Sequence, residues 1–205
     1  MIIVFNKPYG CLSQFTSDGS SHRTLADFGF PSGVYALGRL DATSEGLLFL
    51  SDEKGLNTKL LDPTHAHERC YWAQVEGTPT AETLQKFQEG ILIKDYQTRS
   101  AWAQVLDPQP SLPPRNPPIR VRKNIPDVWI EIILTEGKNR QVRHMTAAIG
   151  YPTLRLIRVR TGNFELGDLP VGTWRELAEE EREQLFWEKR TDSMDKKEFN
   201  KVKFL

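Results

Sequence analysis

Residues 36–50 read ALGRLDATSEGLLFL, and the parsing of this stretch sets the architecture of the chain. Two short apolar runs, residues 34–37 and 47–50, flank a segment of glycine, charge and small hydroxyls. Runs this short, bounded by turn residues, read as a strand entering a turn and a second strand leaving it. Asp41 lies inside that turn, with Arg39 two positions upstream. A carboxylate at such a junction has two readings: it accepts backbone N–H groups as a turn or cap residue, or it is a reactive group held between two strands.

Working outward, MIIVFNKP opens the chain as a strand stopped by Lys7-Pro8-Tyr9-Gly10, and SQFTSDGSSHRTL (13–25) reads as an exposed loop. Leu56, Leu60 and Leu61 space a short helix that ends before Pro63. ERCYWAQVEG (68–77) alternates as a strand, with Tyr71, Ala73 and Val75 on one face and Cys70, Trp72 and Gln74 on the other. Residues 80–90 form a helix with Thr80 as N-cap, an inner stripe of Thr83, Leu84 and Phe87, and Gly90 as its stop. Residues 91–107 read as two strands around a polar connection, followed by a proline-rich loop at 108–120 with no regular element. A strand at 127–137, a helix at 139–151 ended by Gly150 and a strand pair at 152–166 follow. Residues 175–190 read as a solvated helix, and 191–205 as a charged tail. Many strands without regular βαβ alternation predict an α+β fold with a mixed or antiparallel sheet, in two lobes meeting at a cleft.

With 205 residues, 39% of them apolar, the chain can bury a substantial core. No apolar run approaches the roughly 18 residues of a membrane helix, and the first residues lack a signal-peptide pattern, so a soluble, cytoplasmic protein is expected. Cys11 and Cys70 are far apart, and the His65/His67 pair has no third ligand nearby in sequence, so no metal site is expected. Net charge is zero, but residues 115–160 hold ten Lys or Arg against three Asp or Glu. That excess of seven predicts an anion-binding face.

Within this basic segment, Arg140, Arg143 and His144 fall at the opening of a helix, with Arg140 and Arg143 on one face. Cations there oppose the helix dipole, so the arrangement suits an anionic partner, a phosphate or a buried carboxylate. Val142, Met145, Ala148 and Ile149 give the same helix an inward stripe.

FNKPYG (5–10), GRLDATSEGLLFLS (38–51), Arg69-Cys70-Tyr71 and EGKNRQVRHMTAAIGYPTLRLIRVR (136–160) resemble, in order, the motifs of the RsuA/RluA-type pseudouridine synthases. NRQVRHM and LPVGTWRELAEEE (169–181) are similar to the RsuA-like branch, and PRNPPIRVRKNIPDVWIEI (114–132) looks like its members acting on the large ribosomal subunit. The resemblance runs from about residue 2 to about residue 180. It implies the pseudouridine synthase fold over residues 1–190, without the small S4-like domain that precedes the catalytic domain in many branch members.

It further implies an isomerase that flips one uridine of 23S ribosomal RNA out of a stem-loop or assembly intermediate, as a monomer and with no metal or organic cofactor. On this reading Asp41 is the catalytic aspartate, Tyr71 stacks on the uracil, and Arg143 pairs with the aspartate. Arg39 fills the gap left by the flipped nucleotide. Leu40 and Val142 are apolar neighbours of the site, and Arg69, Lys138 and Arg140 meet the RNA. Where the family usually has Lys-x-Tyr, this chain has Arg69-Cys70-Tyr71, which keeps the charge but changes its hydrogen-bond geometry. Two other readings stand beside it: a non-catalytic RNA-binding protein on the same fold, and a glycoside hydrolase using Glu45 as second acid.

Overall fold

The computed structural model describes residues 1–61, 67–119 and 125–186. His65, Pro63, the basic run 120–124 and the 191–205 tail, on which several expectations rest, lie outside the described residues. Strand β1 (Ile2–Lys7) is followed by a 3-10 turn (Leu25–Phe28), β2 (Tyr35–Leu37), β3 (Glu45–Ser51) and α1 (Leu56–Leu61). Then come β4 (Arg69–Glu76), α2 (Ala81–Glu89), β5 (Leu92–Ile93), β6 (Tyr96–Gln97), β7 (Trp102–Val105) and β8 (Asp127–Leu134). Helix α3 (Gln141–Ala148), β9 (Thr153–Thr161), β10 (Phe164–Glu165), β11 (Trp174–Glu176) and α4 (Glu179–Phe186) complete the described chain.

Nine strands make one mixed sheet in the order β11-β1-β3-β9-β4-β8-β7, with β2 added to β3 and β10 to β9. Every pairing among the described strands is antiparallel except β3 with β9, where Glu45 lies opposite Ile157 and Gly46 opposite Arg158. This short parallel seam joins the two halves of the sheet. Gly46 makes the close approach possible: a Cβ there would stand 2.3 Å from the Arg158 carbonyl oxygen, and its φ of +98° disfavours any side chain.

The sheet buries both faces. Ile3 and Phe5 of β1, with Leu48 and Leu50 of β3, enter one core with Leu84 and Phe87 of α2 and Val142 and Met145 of α3. Ile2, Val4, Leu47 and Phe49 enter the opposite core with Leu56, Leu60, Phe164 and Leu185. Strands covered on both sides carry continuous apolar runs rather than alternation, which accounts for IIVF and LLFL. Burial of each such side chain is worth about 1.5–3 kcal/mol.

The mixed, mostly antiparallel α+β sheet is as expected, and Tyr71, Ala73 and Val75 do face one core. Thr80 caps α2 as expected, accepting from the Thr83 N–H at 3.2 Å. Three segments differ. Residues 91–107 hold three strands rather than two, because β5 and β6 close on themselves as a hairpin turned through Lys94 at φ 54°. Ile91 and Thr98 lock its base, the Ile91 N–H donating to Thr98 Oγ1 at 2.8 Å. The loop after β1 is only partly exposed, since Ser13, Thr24 and Leu25 are buried. The expected helix at 175–190 begins later, because Trp174–Glu176 is taken up as edge strand β11 against β1.

Candidate active site

The turn between β2 and β3 opens into a cleft of about 550 Å³. Its lining includes Arg39, Leu40, Asp41, Arg69, Tyr71, Lys138, Arg140 and Val142, which are eight of the nine site residues expected from the sequence. Arg143 is not part of the lining and bonds the turn from α3. Leu12, Ser13, Ser44, Leu134, Glu136, Gln141, Leu156 and Arg158 line it too.

The turn is held from both sides. Within it the Ser44 N–H donates to the Asp41 carbonyl at 3.0 Å, and the Gly10 N–H donates to the Ala42 carbonyl at 2.7 Å. From the other half of the sheet, Arg143 Nη2 donates to the Thr43 carbonyl at 2.7 Å and Arg140 Nη1 to Thr43 Oγ1 at 3.2 Å. The i, i+3 spacing of the two arginines thus converges on one threonine. Asp41 itself is half-buried. Among the described residues its carboxylate accepts no hydrogen bond, and the Ser44 N–H that closes the turn goes to the Asp41 backbone carbonyl instead. A cap or Asx-turn residue would hold a backbone N–H, so the cap reading of Asp41 fails.

The direct Asp41–Arg143 pairing implied by the resemblance is replaced by an indirect one. Arg143 donates to the Thr43 and Thr153 carbonyls, and among the described residues it forms no ion pair. Its Nε is buried without a partner. Burial pushes the Arg143 guanidinium below its ordinary value, Arg140 adds to this, and the negative charge of Asp41 opposes it. The physical reason is position: helix α3 presents Arg143 to the backbone of the turn, so its charge reaches Asp41 through space and its donors fix the chain beyond it.

Tyr71 reaches the cleft from β4, beside an irregularity in the pairing of that strand with β9. Cys70 pairs with Arg160 and Tyr71 with Arg158, so Val159 has no counterpart on β4. The extra residue lies on β9, while β4 keeps an unbroken register with β8 and points Tyr71 to the same face as Ala73 and Val75 by ordinary alternation. Arg69, two residues earlier on the same face, is pushed down from its ordinary value mainly by burial, with Tyr71 opposing. Leu134, Leu40, Val142 and Leu156 supply apolar wall between these polar groups. At the rim, Arg39, Lys138 and Arg140 are exposed. Arg140 holds its backbone at φ 49° immediately before α3, a strained setting for a residue with a Cβ.

The loop before α3 has its own hub. Glu136 accepts the Arg99 N–H at 2.9 Å and also bonds Tyr96 and Gln141, while Gln141 Oε1 caps the Lys138 N–H at 2.9 Å. Sequence reading missed Ser13, Glu136, Gln141 and the site role of Arg158, whose Nε donates across the seam to the Leu47 carbonyl at 2.8 Å. None carries a local signal, since each partner is distant in sequence or lies in irregular chain.

The expected basic face is corrected in part. Arg155 and Arg158 are buried, because β9 is an interior strand. Arg155 binds Glu45 through two contacts of 2.8 Å, and Arg160 pairs with Glu68 at 3.2 Å. Arg115 lies over the Tyr9 ring, 4.0 Å from its centroid. Among the described residues much of the cationic excess is therefore structural, and the segment lines the cleft with exposed Lys138 and Arg140 and buried Arg158. The same Glu45–Arg155 pair removes Glu45 as a second acid, which ends the glycoside hydrolase reading. Among the described residues no group of three or more His, Cys, Asp or Glu is placed to hold a metal ion.

The seam thus gathers in one cleft an aspartate without a hydrogen-bond partner among the described residues, a tyrosine and a cationic rim, a set that suits an enzyme acting on an anionic substrate with an aromatic base. The chain belongs to the RNA pseudouridylate synthase family, whose sequence profile matches residues 1–148. It is 56% identical over 171 residues to the ribosomal large subunit pseudouridine synthase E of Xanthomonas axonopodis pv. citri (strain 306), covering 82% of this chain and 90% of that one. To the protein of the same name from Vibrio parahaemolyticus serotype O3:K6 (strain RIMD 2210633) it is 49% identical over 176 residues, covering 86% and 73%. A solved structure described as the crystal structure of pseudouridylate synthase superposes with a TM-score of 0.73 at 25% identity, covering 90% of this chain and 73% of that one.

Proposed function

We propose that this chain isomerises one uridine of large-subunit (23S) ribosomal RNA to pseudouridine, with Asp41 as the reactive carboxylate. The observation that carries the reading is the Asp41 carboxylate, half-buried in the cleft and without a hydrogen-bond partner among the described residues, on a turn braced from both halves of the sheet. The relatives named for the large ribosomal subunit supply the substrate class.

The reaction breaks the N1–C1′ bond, turns the uracil and forms a C5–C1′ bond. The C5 proton is lost and N1 ends protonated, so the composition is unchanged. A carboxylate serves each chemically reasonable route: attack on C1′, attack on C6, or removal of the C2′ proton. In this reading Arg143 keeps Asp41 oriented through Thr43, and its positive charge offsets the desolvation of an ionised carboxylate. The walls of Leu40, Leu134, Val142 and Leu156 exclude water from the detached base. Extrusion of the base costs a few kcal/mol, and stacking on Tyr71 returns about 1–3 kcal/mol. Arg39, exposed at the rim, occupies the vacated stack, and Arg69, Lys138 and Arg140 meet the phosphates. The RNA is a stem-loop or an assembly intermediate, met by a monomer in the cytoplasm.

Asp41→Asn tests the reading. Isomerisation is expected to vanish while RNA binding stays within a few-fold. Turnover near the unaltered rate removes Asp41 from the mechanism. Pseudouridine mapping in ribosomal RNA from cells with and without the protein tests the substrate, and an unchanged large-subunit map refutes it in favour of a non-catalytic RNA-binding role.

A further inference from the structure

We propose that Ser13 is a positioning residue for Asp41, an assignment that rests on the reading of Asp41 as the reactive carboxylate. Its hydroxyl donates to the Leu40 carbonyl at 2.8 Å and accepts the Leu40 N–H at 3.0 Å. Those two groups belong to different peptide units, one joining Leu40 to Asp41 and the other joining Arg39 to Leu40. A single hydroxyl therefore fixes the chain on both sides of Leu40 and sets the direction in which Asp41 and Arg39 leave it. Both Ser13 and Leu40 are buried, so water does not replace this bond when it is removed.

The serine stands on a rigid support. The Leu12 N–H donates to the Arg23 carbonyl at 2.8 Å, and the Leu25 N–H donates to the Gln14 carbonyl at 2.8 Å. Buried Lys7 donates to the Cys11 carbonyl at 2.7 Å. One residue beyond Asp41, the Gly10 N–H holds the Ala42 carbonyl from the same segment. Residues 10–13 thus grip the turn immediately before and immediately after the carboxylate, while α3 holds Thr43 further on. The Asp41 side chain makes no protein hydrogen bond of its own among the described residues, so its aim depends on this backbone. Displacement of a reacting group by about 1 Å costs on the order of 100-fold in rate.

Single-turnover rates at saturating RNA, normalised to the active fraction by tight-binding titration, test the assignment in Ser13→Ala and Ser13→Thr. The alanine variant is expected to lose on the order of 10- to 100-fold in rate with RNA affinity within about 2-fold, and Ser13→Thr, which keeps the hydroxyl, to recover most of it. An alanine variant within about 2-fold of the unaltered rate overturns the inference, as does a threonine variant as slow as alanine. A parallel loss of affinity and rate also overturns it, because Ser13 then contacts the RNA directly. Ser13→Cys, similar in shape and a weak hydrogen-bonding group, takes the place of alanine if that variant does not fold. The Asp41→Asn result judges Asp41 separately, so failure of one claim is not confused with failure of the other.

Discussion

At the scale of single residues, the charges inside the protein divide into those that hold it and those that act. Glu45 and Arg155 meet through two 2.8 Å contacts, both nearly sealed from water, and Arg155 Nη1 also donates to the Pro113 carbonyl at 2.8 Å. Removing one charge leaves the other buried and unpaired, so Glu45→Gln is expected to lose about 3–5 kcal/mol in urea unfolding. Glu45→Met with Arg155→Met should recover much of that loss, because an apolar pair leaves no orphaned charge. Lys7 is fully buried, and burial lowers its amine to about 8 from an ordinary 10.5, with Cys11 and Glu45 opposing. Between about pH 8 and 10.5 the unfolded chain holds a proton that the folded chain has released. The contribution of Lys7 to stability therefore rises with pH across that window and is lost as pH falls through about 8. The stability of the unaltered chain minus that of Lys7→Met, followed by chemical denaturation, should rise over the same range, and a fall there contradicts this sign.

At the scale of elements, the site is made where regular structure breaks. The β3–β9 pairing lasts for two residue pairs, and Gly46 lets the strands meet. Gly46→Ala combines a clash with the Arg158 backbone and a left-handed φ, and is expected to lose about 2–6 kcal/mol in thermal or denaturant unfolding. An alanine variant as stable as the original chain would show that the seam tolerates opening. Helix α3 begins after the strained Arg140, so Arg140 and Arg143 reach the same threonine from either side of the helix start. The bulge at Tyr71 has the same character, since a regular ladder would give Val159 a counterpart on β4. Short apolar runs bounded by turn residues identified β1, β3 and β8, and alternation identified β4. Neither signal could reveal a skipped residue on β9, because a bulge depends on which strand lies alongside.

At the scale of the whole molecule, a chain with zero net charge must bind a polyanion through a local field. On the proposed reading Lys138 and Arg140 each neutralise a phosphate. Lys138→Ala and Arg140→Ala should then each reduce the slope of log affinity against log salt by about 0.7. Arg175→Gln should leave the slope unchanged, because Arg175 is paired with Glu181 on the β11 edge. Equal slopes for all three variants contradict the assignment. The apolar runs, the turn residues and the helix stops are local properties, so the sequence by itself determined most strands and the α+β class, while the resemblance to a known family pointed to part of the cleft lining. The motifs named nine residues, and the fold brings eight of them into one cleft. Only the tertiary structure decided that β3 meets β9 in parallel, that Arg155 and Arg158 are interior, and that Arg143 reaches Asp41 through Thr43. It alone brought Ser13 to Leu40, 27 positions away. The physical reason is that a side chain's partner is fixed by the packing of distant segments, which spacing along one chain does not encode.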